Sequence, residues 1–238
     1  MPNIAAVAAS LVLSNRPILL PDSCVLLDPI RAAMRPGELD KCTDAAKKIL
    51  SLAETPNQSI QIAVASLVAQ EWNNNVASVL AELKGRFAEA EKLVSRIIAD
   101  SALMGVVHSQ TEVSLSSHPL PEALFQMSEA ILSLAIRLDP LDSANARAIA
   151  RAASRARPGR AGGEIKDCVI VEECLELARV LRQSGFTKRV VFCTSNTRDY
   201  CENRTLAANL ASEFKAVQME FTTSLPWAHS ILASDVGD

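Results

Sequence analysis

Four carboxylates stand where they could do chemistry: Asp22, Glu71, Asp167 and Asp199. Asp167 recurs at helical spacing with Ile170, Cys174, Leu177 and Leu181, on a stripe that should face a core. A desolvated carboxylate there costs several kcal/mol unless it is paired, protonated or bound to a metal. Asp22 closes the apolar run Pro17–Leu20, Glu71 follows the run Ile60–Val64, and Asp199 follows the run Val190–Cys193. Acids gathered without cations would repel and raise one another's pKa, which a divalent ion relieves. With oxygen donors and no His or Cys cluster, the ion is Mg²⁺ or Mn²⁺, the kind that activates water for phosphodiester hydrolysis.

The elements that must position these acids are legible as alternating strands and helices. Pro17–Leu20 and Val190–Cys193 read as buried strands, bounded by Pro, Asp or polar runs, and Ile60–Val64 and Val217–Phe221 read as further strands. Helices are expected over 38–54, 67–72, 76–103, 124–138, 144–157, 167–181, 203–214 and 226–233, with Ser66 as a candidate N-cap. Strand and helix alternate at both ends of the chain around a mainly helical segment, 76–157. This predicts one α/β domain over 1–238, with a central parallel sheet between two helical layers and a helical insertion. In such sheets ligands bind beyond the carboxyl ends of the strands, where the acids fall.

Arg147, Arg151 and Arg155 lie four apart on one helical face, with no acid from Ser143 to Gly163, and Arg157 and Arg160 extend the run. The face is either solvated or a phosphate contact, and its place just before the acidic stretch favours the latter. Thr194 and Ser195, at the end of a strand, are further candidate substrate contacts. Net charge is −3, so nucleic-acid binding must come from such a local patch. Aromatic residues are 4% of the chain, which argues against extensive base stacking, and Trp72 reads as core.

Other chemistries find little support. Six cysteines lack a Cys-x-x-Cys pairing and read as reduced thiols of a cytoplasmic protein. His108, His118 and His229 have no ligand spacing. Gly159–Gly163 lacks the Gly-Lys-Ser/Thr ending of a phosphate-binding loop, and Asp22-Ser23-Cys24 lacks the second acid of a haloacid-dehalogenase-type phosphatase. No apolar run is long enough to span a bilayer, and the run Ile4–Leu13 lacks the basic start of a secretory leader.

Four segments resemble a known family. Leu20-Pro21-Asp22-Ser23-Cys24-Val25-Leu26-Leu27, Ile62 to Glu71, Asp167-Cys168-Val169-Ile170 and Phe192-Cys193-Thr194-Ser195-Asn196-Thr197-Arg198-Asp199-Tyr200 look like the four acidic motifs of PIN-domain nucleases. The wording is closest to the larger bacterial PIN-like group, over about residues 17 to 225. The resemblance implies a PIN-like fold and a metal-dependent ribonuclease, often the toxin of a toxin–antitoxin pair. Its metal ligands would be Asp22, Glu71, Asp167 and Asp199; an antitoxin or a second copy would be its protein partner. Many members carry Thr-x-Asp-x-Asp at the fourth motif, whereas Asn196 stands near the first acid here. Either Asn196 or Asp199 is then the fourth metal-site residue, with Glu164 as a further candidate ligand. That departure also keeps a second reading open, a catalytically inactive RNA- or protein-binding module.

Overall fold

A computed structural model of the chain describes residues 4–54, 56, 58–105, 114–159 and 165–235. In chain order its elements are α1 (Ile4–Ser14), β1 (Ile18–Pro21), α2 (Ser23–Ala32), α3 (Leu39–Ala53), β2 (Gln61–Val64), α4 (Val68–Leu103), α5 (Leu120–Ser133) and β3 (Ile136–Arg137). Then come α6 (Asp142–Ala153), α7 (Ile165–Gln183), β4 (Val190–Cys193), α8 (Thr197–Tyr200), β5 (Cys201–Glu202), β6 (Thr205–Leu206), α9 (Ala208–Ala216), β7 (Met219–Thr222) and α10 (Leu225–Ser234).

The main sheet has the order β3-β2-β1-β4-β7, and every pairing in it is parallel. β1 is central, with Ile18 opposite both Gln61 and Val190. Residues of β1, β2 and β4 are buried throughout, as continuous apolar runs require when helices cover both faces. The helices fall into two contact groups. α2, α3, α4, α5 and α10 pack among themselves, while α7 packs with α1 and α6. The expected three-layer α/β architecture is therefore observed.

Three local features differ from the sequence reading. The helix expected over 124–138 stops at Ser133, and Ile136–Arg137 instead pairs with Ala63 and Val64 as the edge strand of the sheet. The segment 76–157 thus contributes a strand as well as helices. The two helices expected at 67–72 and 76–103 are one of 36 residues, about 54 Å long. Asn73-Asn74-Asn75 only forms its solvent face. The start of the helix expected at Asn203 is a hairpin, with Cys201 opposite Leu206 and Glu202 opposite Thr205.

The apolar stretch at residues 4–14 is a helix whose Val7, Ala8 and Leu11 are buried, and it packs on α7. Trp72 is core, as expected: it is 4% exposed and its indole N–H donates to Ser128 Oγ at 2.7 Å. Ser128 in turn donates to the Leu26 carbonyl, joining α4, α5 and α2. Among the described residues no helix is long and apolar enough to cross a membrane.

Candidate functional site

β1 and β4 run side by side and end together at Pro21 and Cys193. The residues that follow, Asp22 and Thr194, therefore meet at the carboxyl edge of the sheet. Thr194 Oγ1 donates to Asp22 Oδ2 at 2.7 Å. Asp22 is also the N-cap of α2, where extended backbone lets Oδ1 accept from Ser23 N–H at 2.6 Å. The Cys24 thiol adds a weaker bond to Oδ2 at 3.1 Å. The Ser23 hydroxyl points onward and donates to Glu71 Oε2, in the first turn of α4, at 2.8 Å. On the other side the Asn196 backbone N–H donates to Thr194 Oγ1 at 3.1 Å. Asn196 Nδ2 lies 3.5 Å from Asp167 Oδ2, in the first turn of α7. A chain of hydrogen bonds thus connects Glu71, Asp22 and the loop that reaches Asp167.

Above this chain lies a cleft of about 430 Å³ lined by Glu71, Asn74, Asn75, Lys166, Asp167, Asn196, Arg198 and Asp199. Three of the four expected acids share it, together with Asn196. Asp22 does not line it. It is 2% exposed and its carboxylate is occupied by protein donors, so it stands one residue behind Glu71 and not on the cleft wall. Among the described residues no three His, Cys, Asp or Glu side chains are grouped closely enough to hold a metal ion. The donor chemistry of the cleft is nonetheless that of a hard cation: carboxylate and amide oxygens, with no imidazole or thiol on the wall. Lys166 and Arg198 share the wall with the acids.

The tyrosine and arginine around the cleft fix its walls. The Tyr200 hydroxyl donates to the Asp167 carbonyl at 3.3 Å, and the ring is wholly buried against Phe192. Arg157 Nη1 donates to the carbonyls of Arg198 and Asp199 at 2.8 and 3.2 Å, holding α8 in place. Tyr200 closes the fourth acidic motif and Arg157 extends the basic run of α6, but neither pattern shows that they brace the backbone at Asp167 and Asp199.

Several expected substrate contacts have other roles. Arg151 is 8% exposed and bridges Glu172 on α7, at 2.9 Å from Nε, and Glu213 on α9, at 2.5 Å from Nη2. Arg147 binds Glu172 and Glu176, each at 2.8 Å. Both guanidiniums join helices, and the expectation that they face RNA phosphates is corrected. Burial pulls the Arg151 pKa down, but the hydrogen bonds it donates to Glu213 and Glu172, with their charges, outweigh this and leave it raised. Arg155 is exposed just past the end of α6, in the left-handed region at φ 55°. Thr194 is fully buried with its hydroxyl given to Asp22, so it is a positioning residue and not a substrate contact. Ser195 does not line the acidic cleft but another cavity, with Asp28, Arg35 and Cys42. Arg160 and Glu164 lie outside the described residues, as does His108.

Cysteine chemistry is disfavoured. Burial pushes the Cys24 thiol well above its ordinary value, with the Asp22 charge adding to the effect. Burial likewise takes Cys168 up to about 11 and Cys42 and Cys193 to about 12, so none supplies a thiolate near neutral pH. His118 is an exposed cap, its Nδ1 accepting from Leu120 N–H at 3.1 Å.

With this geometry in hand, comparison of the chain with models of known protein families, with curated proteins and with solved structures finds no match.

Proposed function

We propose that the chain is a divalent-metal-dependent endoribonuclease of the PIN-like type. The observation that carries the reading is the convergence of Glu71, Asp167 and Asp199 on one cleft at the carboxyl edge of a parallel sheet. These three residues would hold Mg²⁺ or Mn²⁺, with the Asn196 amide as a fourth oxygen donor. When bound, such an ion supplies activation of water and neutralisation of charge on a phosphodiester.

The chain's own residues supply order. Asp22, fixed by Ser23 N–H and Thr194, presents the Ser23 hydroxyl so that it donates to Glu71 and holds that carboxylate toward the cleft. Tyr200 holds the backbone at Asp167, and Arg157 holds the backbone at Asp199. Because these groups are preset by protein contacts, little reorganisation is needed when charge develops on a substrate. Lys166 and Arg198, which line the same cleft, would meet phosphate oxygens of the substrate.

The test is incubation of structured and unstructured RNA pools with the protein in Mn²⁺, in Mg²⁺ and in EDTA. Cleavage in either ion and none in EDTA is the expected result. RNA binding with no cleavage under any condition would instead leave the chain a non-catalytic RNA-binding module.

A further inference from the structure

Next to the acidic cleft lies a second cleft, of about 680 Å³, lined by Arg157, Thr197, Arg198, Glu202, Asn203 and Arg204, among others. Arg157 is neutralised by Glu202 at 2.8 Å. Arg198 and Arg204 are exposed, and neither is in an ion pair with a described residue. The cleft thus has a net positive wall on a chain whose overall charge is −3. Arg198 lines both clefts, so the basic one and the acidic one are neighbours along α8.

The backbone supports a binding role for Arg204. Asn203 and Arg204 are the two central residues of the β5–β6 hairpin, at φ 49° and 67°. Such turns demand left-handed backbone at both positions, and Asn-Gly is the low-cost pair. An arginine stands where glycine would fit more easily, at a conformational cost, and it lines the cleft.

We infer that this basic cleft binds the phosphodiester backbone of single-stranded nucleic acid through Arg198 and Arg204 and leads the strand into the acidic cleft. The identity of the polyanion rests on the ribonuclease reading; the anion affinity rests on the cleft itself. It replaces the α6 arginines as the phosphate-contacting surface.

The experiment is fluorescence anisotropy of a labelled single-stranded oligoribonucleotide, and of the oligodeoxyribonucleotide of the same sequence, in EDTA so that nothing is cleaved. Each lost phosphate contact on a single strand flattens the log–log salt slope by about 0.7. Arg198→Gln with Arg204→Gln should therefore flatten it by about 1.4, equivalent to roughly 25-fold weaker binding at about 0.1 M salt. Arg155→Gln should leave slope and affinity unchanged. Arg204→Gly guards against misfolding: it should weaken binding while its melting temperature stays level or rises. Equal affinity for the two strands means that the backbone alone is read, and tighter RNA binding means that the 2′-hydroxyl adds to it; both support the cleft. A folded double variant with unchanged slope and affinity overturns the proposal, as does a wild type that binds neither strand. Arginine-dependent binding without cleavage in Mn²⁺ would sustain the cleft and sink the ribonuclease reading, and cleavage with arginine-independent binding would do the reverse.

Discussion

Replacing Arg151 by Met, of similar volume, removes the charge that compensates Glu172 inside the protein. The two side chains are 7% and 6% exposed and sit 2.5 Å apart, and the same guanidinium reaches Glu213 and the Arg157 carbonyl. Breaking one partner out of a buried pair costs about 3–5 kcal/mol. Arg147 stays 2.8 Å from the other oxygen of Glu172, so the low end, about 3 kcal/mol, applies. Arg147 itself is 37% exposed, and Arg147→Gln should cost about 1 kcal/mol or less because water screens its pairs. For a chain of this size about 3 kcal/mol corresponds to a melting temperature lower by roughly 6–12 °C. Thermal and urea unfolding of both variants reads the difference. An Arg151→Met protein within about 1 kcal/mol of wild type, with a flattened salt slope for RNA, would refute the structural assignment and return this arginine to the phosphates.

Asp22→Asn should destabilise the protein by roughly 1–3 kcal/mol in EDTA, because a buried carboxylate that caps α2 and accepts from Thr194 loses acceptor capacity there; urea unfolding measures it, and a neutral result would mean that Asp22 is not the hub of the site. Asp28 is buried, and burial raises its pKa against the opposing hydrogen bond from Ser195 and the charge of Arg35. Its contribution to stability is full below the unfolded value near 3.9 and is lost as pH rises through the raised folded value, so the melting temperature of Asp28→Asn relative to wild type should climb from about pH 4 toward neutrality. A constant difference across that range would show that Asp28 titrates normally. Gly159→Ala should cost about 1–3 kcal/mol, since an added Cβ would stand 2.8 Å from both the Ala152 Cα and the Cys168 Sγ; an unchanged melting temperature would mean that α6 and α7 can part there at no cost.

The strands β1, β2 and β4 could be read from the chain because each is a short apolar run stopped by polar residues or proline, and burial on both faces leaves that mark, whereas the edge strand β7, Met-Glu-Phe-Thr, is only half-buried at its centre. The acids were legible for the same reason: Asp22 closes a run, and Glu71 and Asp199 follow one. What could not be read depends on partners distant in sequence. Ile136–Arg137 continues the helical period of α5 and becomes a strand only because Val64 accepts from the Leu138 N–H beside it. The α6 arginines are without local acids, and their partners lie 21 and more residues away on α7 and α9. Ser66 has the residue type of an N-cap, yet its hydroxyl and N–H both go to the buried Glu173 at 2.8 and 2.7 Å, and Leu67 stands at the cap. Gly159, in a run that reads as an open loop, is buried against α6.

The claim that the acidic cleft holds a divalent ion is tested most directly by the melting temperature of wild type and Asp167→Asn, each with EDTA and with Mn²⁺. An ion bound only by the native state stabilises it by about 2.7 kcal/mol at a hundredfold excess over Kd, or roughly 5–11 °C for this length. The predicted result is that shift in wild type and its loss in Asp167→Asn, whose melting temperature in EDTA stays level or rises as the repulsion among cleft carboxylates eases. A wild type that does not respond to Mn²⁺, or an Asp167→Asn protein that is destabilised in EDTA yet responds in full, would contradict it.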